Sequence, residues 1–346
     1  MVRLEDIAVR ASVSVMTVSK ALRDEPDVSV ATKGRIKTLA LQMGYVPDSS
    51  AQGLRTRTTK LFGLLISSTT DLAVARMMLS IEERSHDLGY DLIIMHTLNS
   101  VEREEYCIRR MLARRVDGLF ISPVYRIEPE ARIYKELAAQ QARVVLLGPS
   151  APFCNQFASA QVDDLVASFG ATQHLVKLGH KRIAFLAGPT AAPWAQARFE
   201  GYRRALREAG MDVDDSLVFQ AGSTTEDGVK AASQMLDEDC NATAVQAVND
   251  LVAIGYADTI LNQGVRIPQD VSVVGFGNTI TSEYFRVPMT TVRQPKFRLG
   301  LAAIEMMVQL LRGQRAETRR LPAELIIRAS SAPPGGAASP TASSQE

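Results

Sequence analysis

The sequence of 346 residues predicts a small all-α head, built on a helix-turn-helix, followed by an α/β core of two doubly wound lobes. Three observations predict this fold class. Apolar residues recur at helical spacing in the first 46 residues, short apolar runs alternate with amphipathic stretches from residue 61 onward, and the length suits two or three domains. Such alternation is typical of parallel sheets covered by helices on both faces.

The head begins with a helix predicted from apolar residues at helical spacing, and a second helix follows a tight turn at Ser12 and Val13. Ser14 is placed to cap the second helix, which begins at Val15. The residues predicted to face inward are Leu4, Ile7, Ala8 and Ala11 in the first helix, then Val18, Ala21 and Leu22 in the second.

The opposite face of the second helix carries thioether, hydroxyl, ammonium and guanidinium groups, on Met16, Ser19, Lys20 and Arg23. A helix with an apolar back and such a front suits the major groove of DNA. The alternative is an ordinary amphipathic helical hairpin on a globular surface.

A third helix is predicted over about residues 30–43, with Ser29 as its N-cap and Gly44 at its end. Pro47 then forces an extended exit. Residues 48–60 are too few and too polar for a stable isolated helix, although bound DNA would supply partners for one.

The core is expected to bind a ligand in the crevice between its lobes, near 61–160 and 161–290, because ligands bind beyond the carboxyl ends of parallel strands. Residues 331–346 are of low complexity and are predicted to be disordered, without a leucine heptad. The predicted strands are 61–66, 91–95, 118–121, 144–147, 182–186, 244–248 and 271–276, and the predicted helices are 74–88, 102–115, 165–178, 197–209 and 226–238.

The charge is unevenly divided along the chain. Residues 1–60 carry ten Lys and Arg against six Asp and Glu, a net +4, and the remainder carries 29 against 32, a net −3. A basic head on a mildly acidic body fits a nucleic-acid-binding module, although a solvated charged face gives the same balance.

The three cysteines, Cys107, Cys154 and Cys240, lie far apart without a CxxC pattern, which indicates neither a zinc site nor a disulfide framework. We expect no metal and no cofactor. The sequence shows no basic-then-apolar signal segment and no run of about 18 apolar residues. The expected location is therefore the cytoplasm, in association with nucleoid DNA and not with a membrane.

Nine motifs stand in order over residues 2–330: LEDIA, VSVMTVSKAL, VSVATKGRI, MGYVPDSSAQGLR, HLVKLGHKRIAFLAGP, RFEGYRRAL, AVNDLVAIG, GVRIPQDVSVVGFGN and MTTVRQPKFRLG. With these motifs the chain resembles the lactose/galactose-repressor (LacI/GalR) family of bacterial transcription regulators. The resemblance implies a DNA-binding head, a hinge helix, and a core like the periplasmic sugar-binding proteins (type I). It also implies a homodimer that binds a palindromic operator and a small-molecule effector.

The domain boundaries that follow are a head over 1–46, a hinge over 47–60, a core over 61–330 and a tail over 331–346. Within the core, the N-terminal lobe is expected to combine about 61–160 with 292–320, and the C-terminal lobe about 161–291 with 321–330.

The resemblance also implies roles for single residues in DNA binding. Val15 and Met16 hold the places that read base edges, and Lys20 lies deeper in the groove. Because Val15 and Met16 donate no hydrogen bonds, they would read thymine methyl groups and shape. Thr17, Ser19 and Arg23 hold the places that contact phosphate groups. In the hinge, Ala51 and Leu54 hold the places that enter the minor groove. Leu4 and Ser14 complete the expected set of DNA-binding residues. Ser12 departs from the family, which usually has glycine in this turn.

In the effector cleft, the resemblance places Arg198 and Asn249 where family members make hydrogen bonds to sugar hydroxyl groups. Ser67, Ser122 and Gln294 align with other cleft positions, and Asp71 and Arg76 would add polar contacts. Trp194, the only tryptophan, either stacks on the ligand or packs at a lobe interface or dimer surface.

Two departures change the expected chemistry of the cleft. Asn278 and Gly148 stand where family members that bind neutral sugars have carboxylates. With Arg198 retained, their loss favours a charge-assisted pair with an acidic sugar, such as an aldonate or uronate, over a neutral hexose.

The function expected from the sequence is a ligand-responsive repressor of a carbohydrate catabolic operon. One alternative is a solute-binding protein for sugar transport, which the helix-turn-helix and the missing signal segment argue against. A nucleotide-dependent enzyme is the other alternative, but Gly275-Phe276-Gly277 lacks the third glycine and the helix start of a phosphate loop. We therefore expect no enzymatic activity.

Overall fold

The computed structural model describes residues 2–46, 58–69 and 72–335. The chain divides into two compact units, Met1–Thr59 and Lys60–Glu346. In the described residues, no helix is both long and apolar enough to cross a membrane.

In its described residues, the first unit contains three helices around a small apolar core. Ser14 and Ser29 accept hydrogen bonds from the backbone N–H groups of Thr17 and Thr32, so both predicted N-caps are confirmed. The core is formed by Ile7, Ala8, Ala11, Val18, Ala21, Ile36 and Ala40. The helices are α1 (Leu4–Ala11), α2 (Val15–Leu22) and α3 (Val30–Gln42).

Ser12 ends α1 in the left-handed conformation, with φ of 51° and ψ of 46°. An L residue in this region costs roughly 1–2 kcal/mol, which glycine does not incur. The turn therefore keeps the geometry that glycine favours, and serine adopts it at a cost in stability.

The second unit contains two six-stranded sheets, and all seven strands predicted from the sequence are present within one residue of their predicted ends. The first sheet is parallel throughout, in the order β11-β5-β4-β3-β1-β2, and the second has the order β12-β10-β9-β8-β6-β7 with only β12 antiparallel. The strands are β1 (Leu61–Ile66), β2 (Asp91–His96), β3 (Gly118–Ile121), β4 (Val144–Leu147), β5 (Ser159–Val162), β6 (Ile183–Ala187), β7 (Val218–Gln220), β8 (Ala244–Ala247), β9 (Ser272–Phe276), β10 (Thr290–Arg293), β11 (Arg319–Leu321) and β12 (Glu324–Ile326).

Helices cover both sheets, and the five predicted helices of the core are among them. The chain passes between the sheets after Val162, after Arg293 and after Leu321, so each lobe contains segments that are distant in sequence. The helices are α4 (Leu72–Asp87), α5 (Val101–Ala113), α6 (Arg132–Ala139), α7 (Asp164–Lys177), α8 (Pro193–Glu208), α9 (Thr225–Asp237), α10 (Asp250–Asn262), α11 (Ile280–Glu283) and α12 (Lys296–Leu311).

The three points at which the chain crosses between the sheets lie one or two residues from the lobe boundaries expected from the sequence. Residues 161, 162 and 321 pair in the first sheet, whereas 292 and 293 pair in the second. The strands at these points are three or four residues long and partly polar, so their apolar pattern does not separate them from loops.

Two histidines hold the last described segment of the chain against the second lobe. The imidazole of His180 lies 2.9 Å from the hydroxyl of Thr243 and 2.9 Å from the carbonyl oxygen of Ala332, and His174 lies 3.0 Å from the hydroxyl of Ser331. Burial lowers the pKa of both histidines below the ordinary value. At a pH between the lowered and the ordinary pKa, the folded protein therefore keeps both histidines neutral, whereas the unfolded chain protonates them.

We expect the free energy of unfolding to fall as the pH drops below about 6.5, the ordinary histidine pKa, towards the lowered pKa of the folded state. Urea denaturation between pH 8 and pH 5 measures this dependence. His180→Gln should flatten it, and an unchanged slope in that variant would contradict the assignment.

Candidate functional site

The exposed face of α2 is the first candidate site. Val15 and Met16 are 40% and 67% exposed, while Val18 and Ala21 are fully buried. Helix α2 is thus amphipathic, with its apolar back in the core of the head. Leu4 packs half-buried against that core, so the structure gives it a packing role.

Carboxylates from the turn between α2 and α3 neutralise the cations of this face, a feature that sequence reasoning missed. Lys20 pairs with Asp27, and Arg23 contacts both Ser19 and Glu25. The hydrogen bond from Lys20 holds the pKa of Asp27 below its ordinary value. The acidic residues were visible in the sequence, but only the turn brings them beside the basic face.

Two further expected DNA contacts already have partners within the helix, because the hydroxyl groups of Ser14 and Thr17 lie 2.8 Å apart at the N-cap. The hinge positions Ala51 and Leu54 lie outside the described residues, and so does the expected cleft residue Asp71.

The first-lobe side of the candidate cleft is an edge of the first sheet. Ser67 and Ser122 follow the neighbouring strands β1 and β3, and Gly148 follows β4 beside them, so the fold brings these three positions to one edge. Both serines are half-buried. Arg76 is exposed on α4.

Arg198, on α8, is a buried residue of the second-lobe side. Its guanidinium lies 2.8 Å from one carboxylate oxygen of Asp164, through both Nε and Nη2, and Nη1 donates to the carbonyl oxygen of Val248 at 2.7 Å. Both side chains are less than a tenth exposed. The guanidinium carbon also lies 3.6 Å from the ring centroid of Phe276 and 4.8 Å from that of Trp194.

The close approach of α7 and α8 places Asp164 and Arg198 together. A Cβ atom at Gly201 would lie 2.4 Å from the backbone oxygen of Leu165, so only glycine fits at this crossing. The hydroxyl of Ser168 donates to the backbone oxygen of Arg198 at 2.6 Å, which ties the two helices at the ion pair.

Burial raises the pKa of Asp164 above its ordinary value, and the charge of Arg198 opposes that effect. Two guanidinium N–H groups at 2.8 Å from one oxygen are the geometry of an ion pair. The sequence argument for an acidic ligand gave Arg198 no partner within the chain, whereas the structure pairs it with Asp164. Asp164, which begins α7, is the residue that sequence reasoning missed.

Asn249 and Asn278, two other expected cleft residues, have partners within the second lobe. Asn249 is the N-cap of α10, with its oxygen accepting from the N–H of Val252 at 2.8 Å and its amide donating to the oxygen of Ser223 at 2.9 Å. Asn278 accepts from Arg328 at 2.8 Å. Gln294 is half-buried where the chain returns to the first lobe.

Trp194 lies in the first turn of α8, because the helix begins at Pro193, four residues before the helix predicted over 197–209. Its half-buried ring packs against the second-lobe core and against Arg198. The described residues contain no cluster of three or more His, Cys, Asp or Glu side chains suited to a metal, and the three cysteines are free thiols.

Comparison with known proteins gives two matching families. Residues 3–48 match the bacterial regulatory proteins of the lacI family, and residues 172–331 match the periplasmic binding protein-like domain.

Similar proteins of known identity match over nearly their whole length. The repressor PurR of Photobacterium profundum is 30% identical over 336 residues, covering 95% of this chain and 98% of the relative. The repressor CytR of Escherichia coli K12 is 29% identical over 335 residues, covering 94% of this chain and 95% of the relative.

Two solved structures also match over nearly the whole length of both chains. The Lac repressor dimer bound to operator and the anti-inducer ONPF has a TM-score of 0.86 and 28% identity, covering 96% of this chain and 99% of that one. The regulator CelR in complex with cellobiose has a TM-score of 0.72 and 28% identity, covering 95% and 100%.

Proposed function

Because the chain belongs to the LacI family of bacterial regulatory proteins, we propose that it is a repressor that binds a palindromic operator. A neutral, hydroxyl-rich effector that binds between its lobes changes its affinity for that operator. The relatives are transcriptional repressors, and the similar Lac repressor structure is a dimer on its operator. In a homodimer, two heads related by a two-fold axis reach the two halves of a palindrome. The proposed activity is therefore binding and not catalysis.

The observation that carries the effector class is the pairing of Arg198 with Asp164. An ion pair has no net charge, so it offers little net attraction to an acid and leaves an incoming carboxylate beside that of Asp164. A guanidinium has five N–H donors, and the contacts to Asp164 and Val248 use three. Two remain for hydroxyl or carbonyl oxygen atoms of a neutral ligand.

The aromatic side chains beside Arg198 support the same class. Trp194 is half-buried, and its ring offers an apolar face on which a sugar ring stacks. Cellobiose, the ligand of the similar CelR structure, is a neutral sugar. A neutral sugar is thus the ligand class that we propose for this cleft.

We further propose that effector binding releases the operator by changing the relative angle of the two lobes. Such a hinge motion couples to DNA when the effector prefers one angle and the operator another. Coupling of this kind is typically worth about 1–3 kcal/mol, or roughly 5- to 150-fold in operator affinity.

The test is a titration of the purified chain, followed by Trp194 fluorescence, with glucose, galactose and cellobiose against gluconate, glucuronate and galacturonate. We expect a saturable change with a neutral sugar and none with its acid. A response to acids alone would overturn the proposed class. Fluorescence anisotropy with an operator selected from a random duplex pool then measures whether the same sugar weakens DNA binding.

A further inference from the structure

Tyr125 lies in the loop after β3 and packs against both lobes. Its half-buried ring contacts the first-lobe cluster that includes Tyr134 and Phe153, and also the second-lobe cluster that includes Ala192 and Val248. Trp194 packs against the same second-lobe cluster. Side chains of both lobes therefore pack against the ring of Tyr125.

A buried carboxylate fixes the loop that carries this tyrosine. Glu104, which is fully buried, accepts hydrogen bonds from the backbone N–H of Val124 and from the hydroxyl of Tyr134, both at 2.8 Å, and it pairs with Arg126. The residues on either side of Tyr125 are thus held by one group. Such support from neighbouring groups is the preorganisation that a selective site needs.

The hydroxyl of Tyr125 lies directly over Gly148. It donates a hydrogen bond to the backbone oxygen of Pro149 at 2.7 Å, and a Cβ atom at Gly148 would lie 3.1 Å from it. Gly148 also has a φ of 107°, which side-chain-bearing residues rarely adopt. The hydroxyl of Tyr125 therefore lies close to the space that a side chain at position 148 would occupy.

We infer that Tyr125 is a specificity-determining residue of the effector cleft, which bridges the lobes and presents its hydroxyl oxygen to a neutral ligand at the position where Gly148 has no side chain. This inference rests on the proposed function. Because the hydroxyl proton is donated to Pro149, the oxygen faces a ligand as an acceptor. Tyr125 then selects for a ligand hydroxyl or amino group that donates, and its ring links the two lobes.

The lobe-bridging part of the inference needs no ligand to be tested. Acrylamide quenching of Trp194, the single tryptophan, reports how exposed the second-lobe side of the cleft is. Tyr125→Ala should raise the quenching constant about two-fold, and Tyr125→Phe should leave it unchanged because the ring remains. The matched control is Tyr106→Ala, which removes an exposed tyrosine of the same lobe and should have no effect. Should Tyr125→Ala not fold, Tyr125→Leu replaces it.

The selectivity part uses the neutral sugar that binds the wild type, with affinity measured by calorimetry. Tyr125→Phe removes one neutral hydrogen bond and should weaken binding about three- to ten-fold. Unchanged quenching in Tyr125→Ala, or unchanged sugar affinity in Tyr125→Phe, would overturn the inference. If no neutral sugar binds the wild type, the proposed effector class fails, and quenching alone decides whether Tyr125 bridges the lobes.

Discussion

Asp164→Ala is expected to lower the free energy of unfolding of the core by about 3–5 kcal/mol and to abolish the response to effector. The substitution removes the carboxylate that accepts two N–H groups of Arg198 at 2.8 Å. It leaves a guanidinium buried among Phe276, Trp194 and the carbonyl oxygen of Val248, of which only the carbonyl accepts a hydrogen bond. An uncompensated charge in such surroundings is costly, and we expect the side chain to turn away from its present position.

The matched control is Asp163→Ala at the neighbouring position. Asp163 caps α7 by accepting from the N–H of Val166 at 3.2 Å, a contribution worth about 1 kcal/mol. Urea denaturation followed by Trp194 fluorescence compares the two variants. Equal losses would mean that the Arg198–Asp164 pair stabilises the core no more than a helix cap, and the account of a compensated Arg198 would then be untenable.

The strands and helices that position the candidate cleft were predictable because they follow simple patterns. β1 and β4 are continuous apolar runs, LFGLLI and VVLL, and they are buried on both faces of a parallel sheet. Strands β11 and β12, RRL and ELI, have three residues each at the edges of the two sheets. Their partners are fixed by tertiary contacts, so no local period reveals them.

The candidate site was predictable only in part, because its chemistry depends on pairs that are distant in sequence. The position of Arg198 came from a motif, but its charge is compensated by Asp164, 34 residues earlier, through the crossing at Gly201. The N-cap role of Asn249 was open to sequence reasoning, since an asparagine preceding a helical pattern is a common cap. The place of Tyr125 over Gly148 depends on the loop held by Glu104, for which the sequence carries no period or motif.

Lys20→Ala is expected to lower operator affinity about ten-fold or more, because Lys20 occupies the basic front of α2 that the family resemblance directs into the major groove. The control is Lys37→Ala on α3, where the lysine pairs with Asp24 outside that front and the change should have little effect. Fluorescence anisotropy with the selected operator measures both variants. Equal losses would show that the head binds DNA by overall charge and not through this face.

Asp27→Asn should act in the opposite direction to Lys20→Ala. In the free protein the carboxylate of Asp27 holds the ammonium group of Lys20, so DNA must displace it before Lys20 makes a contact. Removing this competing anion should raise operator affinity about two- to five-fold, the range expected for an exposed ion pair. The gain should vanish when Asp27→Asn is combined with Lys20→Ala. A gain in affinity that persists without Lys20 would mean that Asp27 acts by repelling phosphate groups generally. In that case Asp27→Asn would raise the affinity for operator and for random duplex DNA alike.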